Sequence, residues 1–379
     1  MRVSSRPDAL EDLYDPEHVA LVRQRHQRAF GWQPQGWIPL GIHVVNPEHM
    51  SRLEYERWLE PEPFFEAQYR VLCETLAVGS DLLPAVAINH LGEAVISSML
   101  GAEQFMPDIM GATLQDVGPT PLPVFSSIEQ VAQMEMPSLD AGIVPQVERF
   151  LMYYRQRLPE WVHVVAPMPS GPFTMAMELR GSDFLLDLKD SPQLCHKLIE
   201  ICTRLQAEVE FKFRGLTGES LTEHVTNFGI LGVGLRVGED SMVNLSSSMI
   251  HEFCLPLFTL INSLCGGVGH IHFCSLVHSR FAHIYPALAS AEQVAVVSSQ
   301  FAWEYYQEHL EELRGRLAVE SFYGDSYGYV CGKYGSFGAW ADQFVPRFKD
   351  ESGLVLYCQV ESVEEGQRVW ESWRRAHQI

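Results

Sequence analysis

The segment Gly269-His270-Ile271-His272-Phe273-Cys274 carries an imidazole or a thiol at every second position from His270 onward. In an extended strand, His270, His272 and Cys274 project to one side. Imidazole and thiolate two residues apart can therefore grip one cation. A second thiol, Cys358, follows Tyr357 near the end of another apolar run, Leu354 to Val360. If the strands close into a barrel, this thiol arrives from a distant part of the chain. His272, Cys274 and Cys358 then offer one nitrogen and two sulfurs. That set suits zinc, with a fourth position left for water, a carboxylate or a substrate thiol. A zinc-bound thiol ionises near neutral pH and becomes a nucleophile. A His-x-Cys pair on a strand also serves as plain core packing, and Cys331 is an alternative distal thiol.

Other groups stand where strands end. Glu320 lies inside the apolar run Leu-Ala-Val-Glu-Ser-Phe-Tyr-Gly, an unusual place for a carboxylate. It is a candidate fourth metal ligand or catalytic base. Asn89, His90 and Glu93 lie just past the strand-like run Leu82 to Asn89. They are candidates for substrate binding, with Asn89 and His90 also placed for acid–base work. Arg236 is a candidate holder of a substrate carboxylate. Glu178, Asp187, Glu239 and Asp240 read as solvated carboxylates, the usual fate of such residues. His278 and His283 read as helix-face residues. The run Gly229 to Gly238 contains a Gly-x-Gly but lacks the spacing and the acidic partner of a dinucleotide fingerprint.

The elements that would position these groups alternate along the chain. Strand-like runs occur at Trp37 to Val45, Leu82 to Asn89, Val162 to Ala166, Ile230 to Val237, Gly269 to Phe273, Val294 to Ser298, Leu317 to Phe322 and Leu354 to Val360. Helical patterning separates them. It is cleanest from Pro192 to Phe213, where Leu194, Leu198, Ile201, Leu205 and Val209 recur at steps of three and four. Strand then helix with short connections marks a parallel sheet. Eight such strands in 379 residues predict an α/β fold, a single (β/α)8 TIM barrel spanning 1–379. Residues 1–36 and 46–160 read as helical and loop elaborations near the barrel mouth. Pro61 and Pro63 read as breaks between helices, and glycine-rich 328–338 as a loop.

Composition narrows the partners. The chain has 27 Lys+Arg against 48 Asp+Glu, a formal charge of −21. Such a surface argues against nucleic acid, which requires a basic face, and against an anionic membrane. No stretch approaches the roughly 18 apolar residues of a membrane span. The eight cysteines show no framework spacing, which fits a reduced, cytoplasmic protein.

Pro169 to Cys195 (PSGPFTMAMELRGSDFLLDLKDSPQLC) resembles the uroporphyrinogen decarboxylase superfamily, as do Gly238 to Phe258, Gly269 to Cys274 and the tail Gly353 to Trp373. The resemblance covers residues 160–379 well and the first 160 poorly. It implies a (β/α)8 barrel with its cleft at the strand C-termini. The arginine-rich segment with which the tetrapyrrole decarboxylases hold carboxylates is missing; Arg23, Arg25 and Arg28 lie in a helix-like run instead. His272-Phe273-Cys274 with Cys358 is similar to the methyltransferase branch, which includes methylcobamide:coenzyme M and O-demethylating corrinoid-dependent enzymes. That branch implies zinc on His272, Cys274 and Cys358. It also implies a small-molecule methyl donor or acceptor, and a corrinoid (cobalamin) carried by a separate protein. The oligomeric state expected is monomer or homodimer. A metal-independent decarboxylase using Arg236 is the alternative.

Overall fold

The computed structural model describes residues 9–46, 59–105, 120–265, 269–274, 282–321 and 326–378. Twelve strands occur among them: β1 Leu40–Val44, β2 Ala85–Ala87, β3 Gln104–Phe105, β4 Thr120–Pro121, β5 His163–Val165, β6 Glu223–Val225, β7 Leu231–Val233, β8 Arg236–Gly238, β9 Gly269–His272, β10 Val294–Ser299, β11 Ala318–Ser321 and β12 Leu354–Val360. Six of them pair in parallel in the order β1-β12-β11-β10-β9-β8, and β2 pairs in parallel with β5. A lone parallel bridge between Ser170 and Gly238 links the segment after β5 to β8. The fold is therefore mixed α/β around a parallel sheet, with helices between successive strands from β8 to β12.

The sheet separates two packing layers. On β12, Leu354, Leu356, Cys358 and Val360 join the core beneath the helices, whereas Val355 and Tyr357 join an inner cluster with Phe30, Phe228, Ile230, Val296 and Ala318. This is the two-residue alternation of a strand buried on both faces. The helix-side core runs without a break from Leu10 to Ala376. No helix among the described residues is long and apolar enough to cross a membrane.

Three expectations about elements change. The run 230–237 is not one strand. Gly229 and Gly234 adopt positive φ (81° and 58°), so β6 and β7 form an antiparallel hairpin before β8 begins. Only residues that tolerate left-handed backbone allow turns this tight. Pro61 and Pro63 do not break a helix. They occupy the first turn of Pro61–Val78, where a missing N–H costs nothing. The glycine-rich stretch forms the helix Ser326–Tyr334, because Tyr327, Val330, Cys331 and Tyr334 present one face to the core. Gly335, at φ 84°, ends it.

The helix Pro16–Phe30 packs against the hairpin strand β7 and against β11 and β12. Its Arg25 pairs with Asp81 at 2.6 Å. Buried His26 meets the Asp81 carbonyl oxygen at 3.0 Å through Nε2 and accepts from the Leu231 amide at 3.1 Å through Nδ1. Residues 9–36 are thus built into the sheet rather than appended to it.

Candidate active site

The register of the parallel strands stacks the functional groups in two layers. Arg236 is level with His270 and Val296, and the next inward-facing layer aligns Gly238, His272, Ser298 and Glu320. The second layer lies at the C-terminal ends of β8 and β9 and next to those of β10 and β11, with the Arg236 layer two residues below it. Functional groups of parallel α/β folds cluster at that end.

The upper layer continues into Asp240, which opens the short helix Asp240–Asn244 directly after β8. Asp240 Oδ1 accepts the Cys274 amide at 2.7 Å and lies 3.9 Å from His272 Nε2. Cys274 Sγ is 3.5 Å from the same imidazole nitrogen. Ligand atoms of Asp240, His272 and Cys274 all lie within 4.8 Å of one another. His272 is buried, with Nδ1 3.2 Å from Ser298 Oγ, while Cys274 is exposed. A fixed second nitrogen is what orients a metal-binding imidazole. Burial, helped by Arg236, lowers the His272 pKa to about 4, so the ring is neutral at pH 7 as a ligand must be. Burial and the Asp240 charge push the Cys274 thiol up to about 12. A cation placed among these groups reverses that penalty.

Cys358 is not in this group. It faces the helices, fully buried, with Cys331 and Glu365 as its charged and polarisable neighbours, and burial raises its thiol pKa. Inward-facing Tyr357 precedes it, and one residue of strand alternation sends the next side chain the other way. Asp240 stands as third donor in place of the expected thiol. Glu320 is also outside the group. It lies in the interior with Oε2 3.2 Å from His270 Nε2, both side chains almost fully buried.

Arg236 is buried at 5% exposure. Its Nη1 donates to Met168 Sδ at 3.3 Å and its Nη2 to Ser298 Oγ at 3.4 Å, while Nε has no partner. Among the described residues no carboxylate forms an ion pair with it. A buried guanidinium held by a thioether and a hydroxyl is short of an anion. It lines a cavity with Met168, Glu210, Arg214, His224 and Asn227.

His90 is buried and stacks on Phe64 at 3.9 Å between ring centroids, with Phe150 at 5.4 Å. The side chain of Asn89 lies outside the described residues. Glu93, in the first turn of Gly92–Met99, is solvent-accessible, yet surrounding protein and the Asp240 charge raise its carboxyl pKa. Glu178 accepts from Ser170 Oγ at 3.1 Å, and burial and Glu93 push it up to about 8. Glu239 is fully buried rather than solvated. It accepts from the Phe173 and Thr174 amides at 3.1 and 2.9 Å and from Thr174 Oγ1 at 3.0 Å, closing the N-terminus of Pro172–Arg180. Asp187 pairs with Arg180 at 2.8 Å, and His283 Nε2 meets the Leu245 carbonyl at 2.9 Å. His278 lies outside the described residues. The carboxylates read as solvated therefore divide into a helix cap, an ion pair, a mouth carboxyl and a candidate ligand. The signal for Asp240 was its place right after β8, the strand beside β9.

No family model and no curated protein matches the chain. Its fold is similar to that of a methyltransferase from Methanosarcina mazei, with a TM-score of 0.67 at 16% sequence identity, covering 93% of this chain and 98% of that one.

Proposed function

We propose that this chain is a zinc-dependent methyltransferase of the uroporphyrinogen decarboxylase superfamily, built on a closed (β/α)8 barrel. Its methyl group passes between a small molecule and the cobalt of a corrinoid on a separate protein. The observation that supports it is the convergence of Asp240, His272 and Cys274 within 4.8 Å at the ends of neighbouring strands. One oxygen, one nitrogen and one sulfur, with room for a fourth donor, suit a zinc site that keeps an open position. Zinc held there would supply Lewis acidity and favour the ionised form of a bound thiol or hydroxyl. The chain's own residues do the rest. Ser298 holds the His272 ring, the Cys274 amide holds the Asp240 carboxylate, and Arg236 anchors an anionic part of the substrate below. Glu93 and Glu178 stand at the mouth with raised carboxyl pKa values, able to hand a proton to or from the substrate. The corrinoid would have to approach the strand-end face, where Cys274 is exposed.

Arg236 also favours the second reading, a metal-free decarboxylase in which that guanidinium grips the carboxylate. Elemental analysis of untagged protein decides between them. The first reading expects about one zinc per chain, lost in Cys274→Ala and Asp240→Ala and retained in Cys358→Ala. Methyl transfer from methylcobalamin should then vanish in chelator-treated protein and return with zinc. Zinc-free parent protein would leave the decarboxylase reading standing.

A further inference from the structure

A second cavity lies among the helix Pro61–Val78, β1 and β2, lined by His43, Gln68, Ala87, His90, Asn227 and Phe228 among others. It shares no residue with the Asp240, His272 and Cys274 group. Its polar atoms are unusual in kind. The Gln68 amide is fixed, because Nε2 donates to the Ala87 carbonyl at 2.5 Å, and this leaves Oε1 as a bare acceptor. Asn227 Oδ1 and His43 Nδ1 are likewise buried without a partner. His43 and Gln68 are each only 8% exposed. Burial lowers the His43 pKa to about 4, so its ring is neutral at pH 7; with the proton on Nε2, Nδ1 accepts. No lysine or arginine lines this cavity.

Three buried acceptors with no donor to meet them carry a desolvation cost that a ligand can relieve. An ammonium group carries three N–H donors and accepts nothing. We infer that this cavity binds the ammonium head of a small primary amine, its three N–H bonds directed to Gln68 Oε1, Asn227 Oδ1 and His43 Nδ1. The free volume of ≈ 30 Å³ admits about two non-hydrogen atoms, a head group and its first carbon. Phe228 adds an aromatic wall of the kind that favours cations. The chain's net charge of −21 favours their approach.

Titration calorimetry on the full chain, metal-free in chelator near pH 7, tests this with methylammonium chloride against tetramethylammonium chloride. Saturable binding of methylammonium, none of tetramethylammonium, and tenfold or greater weakening in both Gln68→Leu and Asn227→Leu are expected. Equal binding of the two salts, or no saturable binding of either, overturns the inference and leaves an ordinary hydrated cavity. Should the variants fail to fold, the comparison of salts on the unaltered chain decides. The metal is absent throughout, so this outcome is independent of the zinc and methyl-transfer reading.

Discussion

At the scale of single residues, burial decides what a charged group does more than its type. Glu219 sits just after the helix Pro192–Thr217, with Oε1 buried and unpartnered. Burial raises its pKa to about 7, against the pull of Arg214. A carboxyl whose folded pKa exceeds its unfolded value binds protons more tightly when folded. Its contribution to stability is complete below the unfolded pKa near 4.5 and is lost as pH rises through about 7. Glu219→Gln should therefore flatten the fall in melting temperature across that window. Thermal melts of both proteins at a series of pH values measure it; parallel curves would refute the assignment. The same logic separates the metal candidates. The approach of His272 and Cys274, 3.5 Å apart, was legible in the sequence because two-residue spacing puts them on one side. Cys358 was misplaced because the register and facing of β12 relative to β9 depend on the three-dimensional arrangement of strands far apart in sequence. The approach of Asp240 to His272 and Cys274 escaped for the same reason: its place after a strand was visible, but not that this strand pairs with β9.

At the scale of elements, short polar contacts fix how the helices meet the sheet. Glu239 closes the first turn of Pro172–Arg180, and the glycine before that helix lets it do so. A Cβ on Gly171 would overlap the Glu239 carboxyl, so one of them would have to shift. Gly171→Ala should displace the cap and cost about 1–3 kcal/mol, as overpacking of a tight site does. Urea denaturation reads the loss directly, and an unchanged midpoint would show that the cap is dispensable. Asp240 follows Glu239, so on the proposed zinc reading this variant should also bind the metal more weakly. A similar constraint holds the interior: a Cβ on Gly232 would intrude on the imidazoles of His224 and His270. The sequence made most of the helices and parallel strands readable, since periodicity reports burial. It concealed the β6–β7 hairpin, because β7 and β8, three residues each on either side of Gly234, look like one apolar run until the positive φ angle is known.

At the scale of the whole molecule, the first residues are the instructive part. Read locally, 1–36 form a polar helical addition, and the motif resemblance begins near residue 160. Yet the helix Pro16–Phe30 packs against β7, β11 and β12. The contacts explain why. Asp81, fully buried, accepts from Trp37 Nε1 at 2.8 Å and the Leu40 amide at 3.1 Å while pairing with Arg25 of Pro16–Phe30. Phe30 enters the inner cluster with Val355 and Tyr357, and Ser352 Oγ and the Gly353 amide both reach the Ala29 carbonyl. The N-terminal helix, the start of β1 and the approach to β12 are one structural unit drawn from opposite ends of the chain. Asp81→Ala leaves the Trp37 and Leu40 donors unsatisfied and strips Arg25 of its partner, a loss of about 3–5 kcal/mol by analogy with broken buried pairs. The unit should weaken as a whole. Amide exchange in Pro16–Phe30 and in β12 should accelerate together in the variant, by a similar factor. If the N-terminal helix alone exchanged faster while β12 kept its protection, the helix would be an appended element after all, and the sheet would not depend on it.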